Sequence, residues 1–345
     1  MNPLLRRAPG AVLLVAGLAL AAFGANELLR TKEPPYRYEV VDAAPRIDDA
    51  AVADTFAQAG LGLRQARLIE NRTGATLAEL RFGDGVDGPV LFDWRPEIDE
   101  PFLTATAPLR EIAALSAALR RHVAADALVL AWWDTSRQLA LLAGVQTRFD
   151  RHVVGAPLAL PAHWAAQRAT IENTESGFWL HGAGSADADP PFAGWVDAML
   201  ARDDGPARLR KLAGAREAYV VVHVRDALLL GTMAPDRLGV AFRDLPDSGN
   251  VHGSISGARD WVRAQGYAAY SAYAPAAGRV RVVALTDAAS SATLVARLLP
   301  FHDSRKPADA VPGLTLVHQV GGFWIYRIDE APARAADPRA VFRPS

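Results

Sequence analysis

The chain has 345 residues, half of them hydrophobic, and its 37 basic and 38 acidic side chains leave a net charge of -1. That length holds one large domain or two smaller ones, and the charge balance argues against a nucleic-acid partner, which asks for a basic excess or stripe. Cysteine is absent, which excludes disulfides, thiolate catalysis, Cys-ligated zinc, iron–sulfur clusters and a covalently attached c-type haem.

From Ala8 to Ala25 the chain carries no charge, and Arg6 and Arg7 precede this run. Roughly eighteen residues is the lower end for a spanning helix. The flanking arginines put the N-terminus on the cytoplasmic side. The expectation for 1–30 is a cytoplasmic stub and an inner-membrane anchor, with the rest of the chain in the periplasm. Ala19-Leu20-Ala21 also reads as a cleavage site, so a signal peptide stays open. The run continues past it to Ala25, which favours a retained anchor.

A polar joint, Thr31 to Pro35, opens a first α/β region, 31–160. Tyr36 to Val41 reads as a strand and Ile47 to Ala59 as a helix. Ala66 to Ile69 and Thr76 to Phe82 read as strands about the turn at Thr73-Gly74, with Val90 to Trp94 a third. Pro108 to Val123 is an amphipathic helix with Leu109, Ile112, Leu115 and Leu119 at helical spacing and Thr106 as its expected N-cap. The continuous apolar run Ala127 to Trp132 predicts a strand buried on both faces. Asp134 then caps a helix that stops at Gly144.

A helical, loop-rich segment, 161–214, precedes a second α/β region, 215–330. There Ala218 to Val224 reads as a strand, Ser254 to Gln265 as a helix closed by Gly266, Arg279 to Leu285 as a strand and Ala288 to Leu299 as a helix. Leu314 to Gln319 and Phe323 to Ile328 form a hairpin about Gly321-Gly322. The tail, 331–345, has the Pro-, Ala- and Arg-rich composition of disorder. The pattern predicts an α/β fold of mixed or parallel sheets flanked by helices, preceded by one transmembrane helix.

No complete catalytic motif occurs. The eight histidines show no H-E-x-x-H and no helical zinc pair, so no metal is assigned; His223 with Asp226, or His302-Asp303, meets a metal only if the fold assembles it. Ser290 and Ser291 read as capping residues, with no G-x-S-x-G elbow around them. Neither a catalytic residue nor a cofactor is assigned. The most distinctive segment is Trp132-Trp133-Asp134-Thr135-Ser136, where a buried strand meets a helix. Strand alternation sends Trp132 and Trp133 to opposite faces. Asp134 and Thr135 lie beside amides at a helix N-terminus, a favoured place for ligands; an ordinary N-cap beside two packing indoles is the alternative. Asp247 to Gly253, with His252, reads as a loop feeding a helix, and His252 joins Trp132, Trp133, Asp134 and Thr135 as a candidate ligand-binding residue.

Two resemblances attach to these residues. Val129-Leu130-Ala131-Trp132-Trp133-Asp134 resembles the W-W-D region in the soluble domain of STT3-type oligosaccharyltransferases, which recognises the acceptor's hydroxyl residue. Thr135-Ser136 replaces that family's Tyr-Gly, and the multi-span catalytic portion is missing. This likeness implies a peptide- or glycan-binding domain rather than a transferase. The second covers most of the chain. Ala131 to Gln138, Gly249 to Gly253 and Val320 to Tyr326, with the single N-terminal apolar segment and the missing haem motif, are similar to the HaoB-type hydroxylamine oxidation proteins. That resemblance implies a non-haem periplasmic accessory protein, acting by binding or assembly beside a multihaem hydroxylamine oxidoreductase.

Overall fold

The computed structural model describes residues 33–42, 45–98, 106–124, 126–149, 162–180, 190–246, 251–276, 278–302 and 311–330. The expected anchor at 1–30 and the tail at 331–345 lie outside these residues. No described helix is long and apolar enough to cross a membrane.

The chain opens with β1 (Tyr36–Val41), α1 (Ala50–Gln58), β2 (Arg64–Glu70), β3 (Thr76–Gly85) and β4 (Gly88–Pro96). These strands pair in chain order as an antiparallel meander. Next come α2 (Leu109–His122), β5 (Leu128–Leu130), α3 (Trp133–Ala143) and β6 (Gln146–Thr147), then α4 (Arg168–Trp179), α5 (Pro190–Met199) and α6 (Gly205–Ala213). The remainder is β7 (Ala218–His223), α7 (Val224–Met233), β8 (Val240–Pro246), α8 (Val251–Gln265), β9 (Ala269–Ala276), β10 (Arg279–Leu285), α9 (Ala288–Ser291), α10 (Leu294–Leu298), β11 (Leu314–Val320) and β12 (Phe323–Ile328).

The central sheet has the order β11-β12-β7-β5-β6, with β5 parallel to both β6 and β7 and β12 antiparallel to β7. It therefore takes strands from both 31–160 and 215–330. Its alternation separates two cores. Leu128, Leu130, Val220 and Val222 face the helices α5, α6 and α7, where Trp195, Leu209 and Leu230 close the layer. Val129, Ala131, Tyr219, Val221 and Ile325 face the opposite way, onto Ile112, Leu115 and Leu119 of α2 and Leu139 and Leu142 of α3. Helices on both faces explain why β5 and β7 are buried at every position.

The third sheet, β8-β10-β9, is antiparallel. Val283 and Leu285 join the first core, while Val282 and Ala284 pack beneath Ala258 and Val262 of α8. The architecture is α/β with one mixed and two antiparallel sheets; among the described residues the parallel pairing expected from the sequence is confined to β5, β6 and β7.

Several local expectations change. Leu109–His122 starts behind Pro108, not Thr106, and has no side-chain cap. The helix expected over Ala288 to Leu299 breaks into α9 and α10, because Thr293 is extended and starts a new N-terminus. Trp132 and Trp133 do not take opposite faces: Trp132 is core and Trp133 packs, half-buried, against the same cluster. The strand ends at Leu130 and the helix begins at Trp133, so alternation does not reach them.

Candidate functional site

Strands β5 and β7 lie side by side and parallel, and their onward helices α3 and α7 leave on opposite faces of the sheet. Their carboxyl ends form a topological switch point, the usual ligand crevice of open α/β sheets. Here the crevice is filled by a buried polar cluster. Arg225, 1% exposed, donates through Nη2 to Asp134 Oδ1 at 2.5 Å and to Thr135 Oγ1 at 2.7 Å. Its Nε lies 3.6 Å from Asp226 Oδ1. Asp134 also accepts from the Thr135 amide and, at 3.1 Å, from the Thr135 hydroxyl. It sits in the first turn of α3 rather than at its N-cap, which is Trp132.

His223 and Asp226 do meet, but as a capping box rather than as metal ligands. The Arg225 amide donates to His223 Nδ1 at 3.0 Å, and the His223 amide donates to Asp226 Oδ2 at 2.9 Å. Since Nδ1 accepts, the imidazole proton of the neutral ring is on Nε2. That nitrogen faces Glu111 Oε2 of α2 at 3.6 Å. Glu111 accepts from the Gly322 amide at 2.7 Å, which ties the β11–β12 hairpin to the cluster. Gly322 must be glycine here: a Cβ would lie 2.2 Å from His223 Nε2. Phe323 and Tyr273 close over the imidazole with ring centroids at 4.7 and 5.4 Å.

The electrostatics follow from this packing. Burial pushes Asp226 up to about 7, against the pull of Arg225 and of the His223 amide. Its Oδ1 has no hydrogen-bond partner, so the ionised form is poorly solvated. Burial, with Arg225 alongside, lowers His223 despite the facing Glu111. Burial works to raise Glu111, but His223, the Gly322 amide and Arg110 prevail and hold it below its ordinary value. Burial opposes the charge on Arg225, yet Asp134 and Asp226 outweigh it and raise its pKa.

Of the residues singled out by sequence, Asp134 and Thr135 are thus in the cluster, Trp132 is in the adjoining core with Phe192 and Trp195, and Trp133 is at its rim. His252 lies in the first turn of α8, and its side chain is outside the described residues. Sequence reasoning missed Arg225 and Glu111 and did not foresee the roles of His223 and Asp226. The one signal available was His223-Val224-Arg225-Asp226, a run with three ionisable residues directly behind the apolar stretch Ala218 to Val222. No cluster of metal ligands forms among the described residues.

The stretches 131–138 and 320–326 therefore converge on the end of β7. No curated protein matches the chain. A family model does, described as HaoA-associated protein HaoB, and it matches residues 2–328. Covering nearly the whole chain, that match shows that the protein belongs to the HaoB family.

Proposed function

We propose that this protein is a membrane-anchored, periplasmic, non-haem partner of HaoA, the hydroxylamine oxidoreductase, and that it acts by binding or assembly. The observation that carries the reading is the family match over residues 2–328, whose description is association with HaoA. The uncharged run Ala8 to Ala25 behind Arg6 and Arg7 supports the anchor and its orientation. The cluster around Arg225 supports a binding role: its carboxylates, guanidinium and imidazole engage one another, as a structural keystone for the four chain segments that meet there, at Glu111, Asp134, His223 to Asp226 and Gly322.

Two experiments test this. A clean deletion strain should oxidise hydroxylamine more slowly, and an unchanged rate would count against the proposal. Reporter fusions after residue 30 should be active only outside the cytoplasm; cytoplasmic activity would refute the location. A second reading, a peptide or glycan site at the same strand ends, draws on the switch-point position and the half-buried Trp133 rim. It predicts saturable binding of a hydroxyl-containing peptide or glycan that Trp133→Ala abolishes.

A further inference from the structure

Away from the switch point, α4 lies across the first sheet and plants a carboxylate between two tyrosines. Glu175 is 5% exposed. Its Oε1 accepts from the Tyr36 hydroxyl at 2.6 Å and from the Tyr38 hydroxyl at 2.8 Å. The indole of Trp179 donates to the Tyr38 oxygen at 3.2 Å. Aromatic rings surround the three oxygens: Trp164 is 5.2 Å from Tyr36, and Trp179 and Phe178 are 5.6 and 4.1 Å from Tyr38, centroid to centroid.

Oxidising a phenol by one electron makes its proton strongly acidic, so the step is easy only where a base already holds that proton. A carboxylate shared by two phenols through short hydrogen bonds, and shielded from water, is such a base. Burial raises Glu175 against the pull of Tyr36, Tyr38 and the nearby Trp179 indole, which strengthens it as a proton acceptor. Tyr219, Tyr326 and Tyr273 differ. Tyr219 donates to Glu217, but that carboxylate is exposed. Tyr326 donates to a main-chain carbonyl, and Tyr273 lies among the guanidinium groups of Arg281 and Arg225, which disfavour loss of an electron.

We infer that Tyr36, Tyr38 and Glu175 form a proton-coupled redox site, a sink for oxidising equivalents that reach the protein as small one-electron radicals. A radical X• takes one electron and leaves as X⁻; the tyrosine O–H bond breaks, its proton passes to Glu175 Oε1, and a neutral tyrosyl radical and a carboxylic acid remain. Trp164 and Trp179, in ring contact with the pair, accept the hole first and hand it on.

The test is pulse radiolysis of the full-length protein in detergent with azidyl radical as the oxidant, which is reduced to azide. The tryptophanyl absorption should decay as a tyrosyl absorption rises. The double variant Tyr36→Phe/Tyr38→Phe, which keeps both rings, should lose that phase. Glu175→Gln should slow it about tenfold, the equivalent of about 1.4 kcal/mol of barrier. An unchanged phase in the double variant overturns the inference, as does an unchanged rate in a folded Glu175→Gln protein. If Glu175→Gln proves unfolded by circular dichroism, the single Phe variants decide: each should reduce the tyrosyl yield, and full yield in both overturns the proposal.

Discussion

Asp226 offers the sharpest quantitative prediction. Its carboxyl is buried, accepts one main-chain hydrogen bond, and is pushed up to about 7 from an ordinary 3.8. A group whose pKa is higher in the folded state than in the unfolded one holds its proton preferentially in the fold. Its contribution is present at low pH and is lost as pH rises through the folded value. Between pH 5 and pH 8 this one group should therefore remove about 2–3 kcal/mol of stability, at about 1.4 kcal/mol per pH unit up to its midpoint. His223 acts with the opposite sign. Its folded value is lowered, so its contribution is lost as pH falls below its unfolded value. The clean quantity is therefore the difference between wild type and Asp226→Asn, in which the His223 contribution largely cancels. The asparagine carbonyl can still accept from the His223 amide. Urea unfolding followed by tryptophan fluorescence at pH 5, 6.5 and 8 measures it. The variant should gain on wild type steadily from pH 5 to pH 8. A difference that stays constant with pH, or grows in the other direction, refutes the argument.

Arg225→Met should be far more damaging, about 3–5 kcal/mol by the same assay, because it strands Asp134 and Asp226 without their shared cation. Asp134→Ala should lower stability by more than the roughly 0.5–2 kcal/mol of a lost cap, since Arg225 is left buried beside one carboxylate; thermal unfolding reads this, and a loss within the cap range would reduce Asp134 to a local role. Gly322→Ala forces a methyl group against the His223 ring and should cost about 1–3 kcal/mol or more. A neutral outcome there would mean that the hairpin is not pinned to the cluster.

What the sequence reveals is the locally encoded part. The helix Leu109–His122 follows from its spacing, the hairpin about Gly321 from its glycine at φ 54, and the helix stops at Gly144 and Gly266 from glycines at φ 66 and 69. Three elements of 215–330 escape it. Val240–Pro246 and Ala269–Ala276 are strands only because β10 pairs with both; alanine and proline give Ala269–Ala276 little strand propensity of its own. Val224–Met233 hides because its N-cap is a histidine, outside the Ser/Thr/Asp/Asn signature. The site is harder still. Glu111 meets Gly322 across 211 residues and Arg225 meets Asp134 across 91, so no spacing rule links them. What is legible is the strand-to-helix junction at Trp132 to Thr135, and the fold then supplies its partner.

Affinity isolation of the tagged protein from membranes of its native host, with HaoA quantified by mass spectrometry, tests the partnership with HaoA. HaoA should be enriched well above an untagged control. Recovery of HaoA at the level of the untagged control would contradict the claim.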